Sequence, residues 1–148
     1  MAISTFDPKQ LIITWGEFRI SGFAPGTFVN VERNEDSFTL TVGSDGEGAR
    51  ARSNDNSGRV TLTLLQTSLS NQQLSQALFQ DELTCGGVRP LLIRNIKGTD
   101  LYQAETSWLM KPSSAGYSSE IEPREWVLES DNLRMNVGSG IPSPGVLI

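Results

Sequence analysis

Histidine is missing from this 148-residue chain, and cysteine occurs once, at Cys85. Without histidine there is no imidazole general base, and the commonest zinc ligand is gone. Ser57, Ser68, Ser70 and the Cys85 thiol therefore have no histidine to activate them, which argues against nucleophilic catalysis. A lone cysteine forms no intrachain disulfide, no redox pair and no cysteine-based metal site. Any metal would have to rest on carboxylates, and no cofactor is expected. Long apolar runs are absent too, since none nears the ~20 residues that span a bilayer, so no membrane anchor is expected. The first residues carry neither the basic stretch nor the apolar core of a signal peptide, which leads to the expectation of cytoplasmic synthesis. Positive charge is in deficit: 12 Lys and Arg against 17 Asp and Glu leave a net −5. Such a balance repels phosphate backbones rather than collecting them.

What is present is strand pattern. With 37% hydrophobic residues the composition is that of a globular chain, expected to form a single domain over 1–148 that buries about 70% of its unfolded surface. Phe38-Thr39-Leu40-Thr41-Val42 and Val60-Thr61-Leu62-Thr63-Leu64 alternate with period two. Each should therefore be a strand with one buried and one polar face, as in a sandwich or the wall of a water-filled barrel. Further strands are expected over 11–15, 18–21, 27–33, 91–96, 101–110, 124–130 and 131–137, with 28–42 forming one long hairpin and 91–110 a second. Residues 1–10 read as an arm and 138–148 as a C-terminal tail whose apolar tip, Val146-Leu147-Ile148, should dock, with a neighbouring copy as the candidate site. One helix is expected over 71–83. Ser70 would be its N-cap, in a capping box with Gln73, Leu69 and Leu74 would form a hydrophobic staple, and Cys85-Gly86-Gly87 would be its stop. Leu74, Ala77 and Leu78 share its inner face, so it should plug the open edge or face of a sheet.

The polar segment 43–58 carries Asp45, Glu47 and Asp55 against Arg50 and Arg52, with glycines at 43, 46, 48 and 58. A solvated loop is the plain interpretation. At about 16 residues, however, it is longer than most connections in compact domains, and its balanced charge suits a surface that meets a copy of itself. Neither Asp45-Gly46-Glu47 nor Asn54-Asp55-Asn56 has EF-hand spacing, and no glycine pattern makes a phosphate loop. Glu120, Glu122 and Glu125 lie near one another, as glycosidic acid/base pairs would, but also as a solvated loop would. Trp15, Trp108 and Trp126 with Phe18, Phe28 and Tyr102 could stack sugars, although alternating strands place aromatics in a core by default.

Gly22-Phe23-Ala24-Pro25-Gly26, Val31-Glu32-Arg33-Asn34-Glu35-Asp36-Ser37-Phe38, Val42-Gly43-Ser44-Asp45-Gly46-Glu47, and above all the phrase SGRVTLTLLQTSLSN resemble the tail tube proteins of contractile-tailed bacteriophages. The resemblance covers roughly residues 10–137. It implies a mainly β fold: a β-sandwich of antiparallel sheets with one flanking α-helix, whose long hairpins close a barrel between subunits. It also implies hexameric rings stacked into a hollow tube inside a contractile sheath, located in the virion tail and synthesised in the host cytoplasm. The implied partners are copies of itself, the tail sheath protein, and baseplate and tail-terminator proteins. Tape measure protein and genomic DNA would pass through the lumen without specific binding. Segment 43–58 resembles the part such proteins use between subunits and rings, which makes Asp45, Glu47, Arg50, Arg52, Asn54 and Asp55 the candidate contact residues. The alternatives are the tube of a type VI secretion or bacteriocin-like system, and a virion sugar-binding β-sandwich module.

Overall fold

The computed structural model describes residue 3 and residues 5–138. The expected tail therefore lies outside the described residues, apart from its first member, Gly138, and so does part of the arm. After a 3-10 turn at Pro8–Gln10 come β1 (Leu11–Trp15), β2 (Phe18–Arg19), β3 (Val29–Arg33), β4 (Phe38–Val42), β5 (Gly48–Arg52) and β6 (Gly58–Leu64). Helix α1 (Ser70–Thr84) follows, then β7 (Arg89–Asn95), β8 (Leu101–Leu109), β9 (Arg124–Ser130) and β10 (Arg134–Asn136). The expectation of a mainly β chain with antiparallel sheets and one flanking helix is borne out.

One sheet runs in the order β2-β1-β7-β8-β9-β6-β3, with β10 added on β8. Alternation explains which faces are buried. In β6, Val60, Leu62 and Leu64 are buried, and in β7 Leu91 and Ile93 are, while their sequence neighbours face outward. Ile13 and Trp15 of β1 share one buried cluster with Leu62 of β6 and Leu128 of β9, although three strands separate β1 from β6 in the sheet order. The sheet is therefore curled around its core. The segment that follows β2 completes the curl: the Leu65 N–H donates to the Gly22 carbonyl (2.8 Å) and the Ala24 N–H to the Thr63 carbonyl (3.0 Å). Helix α1 closes the core with Leu74, Ala77 and Leu78, and the Trp126 Nε1 donates to Asn71 Oδ1 (2.9 Å), tying the first turn of the helix to β9.

Three local expectations are corrected. Residues 28–42 do not form a hairpin. Instead β3 pairs with β6, setting Val29 opposite Leu62 and Val31 opposite Val60, and β4 pairs with β5. The cause lies at the turn, where the Asn34 N–H donates to the Ser57 carbonyl (3.1 Å) and Arg33 Nε to the Leu133 carbonyl (3.0 Å). These bonds keep β3 in the main sheet and send β4 out of it. Segment 43–58 is not all loop, because it contains strand β5. Phe38, Leu40 and Val42, expected to be buried, are exposed.

The capping box and staple at the helix start also fail to form. Leu69 is 81% exposed, and Ser70 is already helical. Its Oγ accepts from the Ser21 N–H (3.0 Å), while Ser68 Oγ accepts from the Ser70 N–H and donates to the Ser21 carbonyl. The serines are used to fasten the helix to the chain after β2, a tertiary demand that outweighs the local cap. The stop is as expected: Cys85 takes the left-handed conformation (φ 58°) and its N–H donates to the Asp81 carbonyl.

Candidate assembly interface

Among the described residues, strands β4 and β5 pair only with each other, and every residue of both is exposed. Their register places Phe38 opposite Arg52, Leu40 opposite Arg50 and Val42 opposite Gly48. Residues directly opposite in an antiparallel pair project to the same side. One face thus carries Phe38, Leu40, Val42, Arg50 and Arg52, and the other the small side chains of Thr39, Thr41, Ala49 and Ala51. Leu40 is 73% exposed and Val42 58%. The Arg50 guanidinium lies 4.2 Å from the Phe38 ring centroid, a cation–π contact worth ~0.5–1 kcal/mol where exposed.

The tip is a tight, acidic turn. The Gly43 N–H donates to the Glu47 carbonyl (2.8 Å), Asp45 Oδ1 accepts from the Glu47 N–H (3.2 Å), and Gly46 adopts φ +89°, which a side chain would strain. Asp45 and Glu47 therefore sit at one end of the hairpin and Arg50 and Arg52 along its apolar face. Asn54 and Asp55 sit past the base, beyond the roughly 17 Å that the rise of β5 alone puts between base and tip, so they do not join the tip carboxylates in one site.

The base is pinned to the main sheet. The Ser53 N–H closes the root of the hairpin on the Ser37 carbonyl; beyond it Asn34 Nδ2 donates to Ser57 Oγ and to Glu129 Oε1 (2.7 Å), and Arg59 pairs with Glu129 at 3.0 Å. Gly58 leaves room there for the Leu133 side chain. Asp55 turns the chain back toward β6 by accepting from the Ser57 N–H (3.0 Å). Hydrogen bonds from the Ser57 hydroxyl first, and its backbone N–H second, lower the Asp55 pKa. A depressed carboxyl contributes stability above its ordinary pKa and loses it as pH falls through the lowered value. Ser57→Ala should move the Asp55 titration back upward in an NMR pH series; an unmoved midpoint would show that the hydroxyl has no part in it.

Two residues that the sequence did not reveal, Arg33 and Arg134, complete the base beside Arg52, itself a candidate from the sequence. Arg33, Arg52 and Arg134 line a cleft of about 400 Å³ with Ser37, Asn56 and Asn132. Arg33 and Arg134 stand 101 positions apart in the sequence, and nothing in either local pattern marks them as a pair. The hairpin is thus purely acidic at its tip and mixed at its root, where the guanidinium groups of Arg33, Arg52 and Arg134 stand among the exposed Glu35, Asp36 and Asp55, an asymmetry suited to head-to-tail contact between copies. Among the described residues no group of histidine, cysteine or carboxylate side chains is arranged to hold a metal, and no helix is long and apolar enough to cross a membrane. Trp15 and Trp126 lie in the core.

A curled β domain that holds a bare two-stranded arm away from its core has the build of an assembly subunit, and the same fold occurs in solved structures of other assemblies. It is similar to a chain of the extracellular contractile injection system PVC sheath-tube complex in its extended state (TM-score 0.60, 14% identity, 89% of this chain and 91% of that one). It is also similar to the tube terminating cap of the anti-feeding prophage (TM-score 0.59, 12% identity, 92% and 94%) and to the PVC sheath/tube terminator (TM-score 0.57, 14%, 93% and 100%). At the sequence level, "Structural protein ORF10" of Pseudomonas phage KPP10 is 28% identical over 143 residues, 91% of this chain and 83% of that protein. The family model described as "Bacteriophage PhiTE tail tube protein" matches residues 16–138, and the chain belongs to that family. It is a structural protein of the tail tube.

Proposed function

We propose that the subunit assembles into hexameric rings that stack into the inner tube of a contractile-tailed phage, the conduit for genome ejection. It has no catalytic role. The tail sheath surrounds it, baseplate and tail-terminator proteins close its ends, and tape measure protein and DNA traverse the lumen without specific binding. Residues 1–148 act as one tube domain, made in the host cytoplasm and carried in the virion tail. The observation that carries this is the β4–β5 hairpin. A two-stranded hairpin alone is marginal in water, and one with exposed Phe38, Leu40 and Val42 and two open edges calls for neighbours. Asp45, Glu47, Arg50 and Arg52 supply its complementary charge, and Asn54 and Asp55 the adjoining surface.

Six copies at −5 each give a ring a formal charge of −30. A like-charged wall then keeps DNA from adhering within a Debye length of ~8 Å. Negative-stain microscopy of the purified protein at high concentration should show hollow tubes with sixfold end views. Persistent monomers, or rings of another symmetry, would count against this assembly. A bacteriocin-like or type VI tube is the second reading, favoured by the fold shared with the anti-feeding prophage and PVC components.

A further inference from the structure

The outward side of the curled sheet is not uniform. On β3, β6 and β9 its make-up follows from the register: Glu32 stands opposite Arg59, Arg59 opposite Glu129 and Thr63 opposite Glu125, so these side chains share one face with Thr61 between them. Val60, Leu62, Trp126 and Leu128 point the other way, into the core. Among the described residues no exposed large apolar side chain lies on β3, β6 or β9; such side chains lie on β4, on α1, on β7 and on the loop after β8.

On the tube reading above, we propose that this face is the wall of the lumen, the surface that passing DNA meets, and that Glu32 and Glu125 are the charges that keep DNA from adhering to it. Three carboxylates, Glu32, Glu125 and Glu129, share the face with one guanidinium, Arg59, which is already paired with Glu129 at 3.0 Å. The face therefore carries −2 of the −5 on each chain, or −12 in a ring of six. Phosphates are repelled by such a wall and gain no cation to release their counterions.

In a sheathed tube the lumen is the surface that stays in water, so it belongs to the face without apolar patches, and patches elsewhere mark what neighbours cover. Helix α1 lies on the opposite side of the sheet, because Leu74 and Leu78 join Leu62 and Leu128 in one buried cluster. Its outer side carries the exposed Phe79 and Leu83. Turning β3, β6 and β9 toward the lumen therefore turns this apolar helix face away from it. The hairpin agrees with that orientation: the chain passes from β3 into β4 and from β5 into β6, so a neighbour recruited by the hairpin flanks β3, an edge strand of the main sheet, and extends the same wall. The rest of the sheet has the wrong charge for this place. Strands β1, β2, β7, β8 and β10 direct Arg19, Arg94 and Arg134 outward with Glu105 as their one carboxylate, a face that would hold phosphates rather than let them pass.

The test compares free subunits with assembled tubes. In a Cys85→Ser background, Thr61→Cys should react with a small maleimide in both forms, but should lose its reaction with an antibody-borne maleimide on assembly, since an antibody is too wide to enter a ring of six such subunits. Gln76→Cys, on the outer side of α1 beside Phe79, should keep both reactions. Separately, Glu32→Lys with Glu125→Lys turns the wall from −2 to +2 per copy; tubes of that variant should retain short duplex DNA at low salt and release it at high salt, whereas parent tubes should retain none. An antibody-borne maleimide that reaches Thr61→Cys as fast in tubes as in free subunits, or charge-reversed tubes that retain no more DNA than the parent, would overturn the assignment while leaving the tube standing. Parent protein that forms no tubes would instead strike the tube reading itself, and this inference with it.

Discussion

Replacing Leu40 and Val42 with glutamate should abolish tube formation and leave the folded subunit almost untouched. Both side chains are exposed, 73% and 58%, and β4 contributes nothing to the curled sheet. The double variant should therefore melt within about 0.5 kcal/mol of the parent, as surface changes do. In an assembly the same positions would lie against a neighbour. Each apolar side chain buried there contributes roughly 1.5–3 kcal/mol, so losing two weakens each contact by on the order of a hundredfold or more. In the proposed tube the loss would recur at every copy in a ring and every ring in a stack. Sedimentation and negative-stain microscopy would show subunits only, while circular dichroism melting would be unchanged. Tubes of normal appearance from the double variant would remove the hairpin from the interface.

In the proposed assembly the charge pattern of the hairpin would give that contact a direction. Asp45 and Glu47 make the tip purely acidic, whereas at the root Arg33, Arg52 and Arg134 are mixed with Glu35, Asp36 and Asp55. A tip of one charge sign and a root that offers guanidinium groups are unlike surfaces, and unlike surfaces join head to tail rather than face to face. A self-complementary dimer would instead end the assembly after one contact. Head-to-tail joining closes into rings or continues as a stack.

The limits of sequence reading fall where pairing is decided by contacts far along the chain. Val60, Leu62 and Leu64 were legible as a buried face because period two with threonines between admits one outcome in a two-faced sheet. Leu74, Ala77 and Leu78 were legible for the same reason at helical spacing. Phe38, Leu40 and Val42 show the same alternation, yet they are bare, because a strand pattern states that a face wants cover without saying from which chain. Strand β5 is hidden in the sequence because Ala49-Arg50-Ala51-Arg52 alternates small with charged residues, a pattern that equally suits a charge-balanced loop. The wrong partner for β3 followed from proximity: residues 34–37 look like a hairpin turn, and the bonds of Asn34 to Ser57 and Arg33 to Leu133 are invisible locally. Likewise Ser70 had every local mark of an N-cap, and only the fold shows that its hydroxyl is engaged by the Ser21 N–H.

Leu78→Asp should do the opposite of the hairpin variant and unfold the subunit rather than disperse the tube. Leu78 is 6% exposed on the inner face of α1, beside Leu74 and Ala77. Truncating a buried leucine costs about 2–5 kcal/mol through lost burial and the cavity left behind. An introduced carboxyl adds desolvation, which raises its pKa above the unfolded value. For such a raised group the stability is highest where the carboxyl is protonated in both states, and it falls as pH climbs from the unfolded pKa to the folded one. The variant should thus lose on the order of 10 °C in Tm relative to the parent at neutral pH, and recover part of that difference near pH 4. Equal melting temperatures at neutral pH would mean that the helix does not close the core. A loss independent of pH would mean that the carboxyl escapes to solvent, with the helix lifted from the sheet.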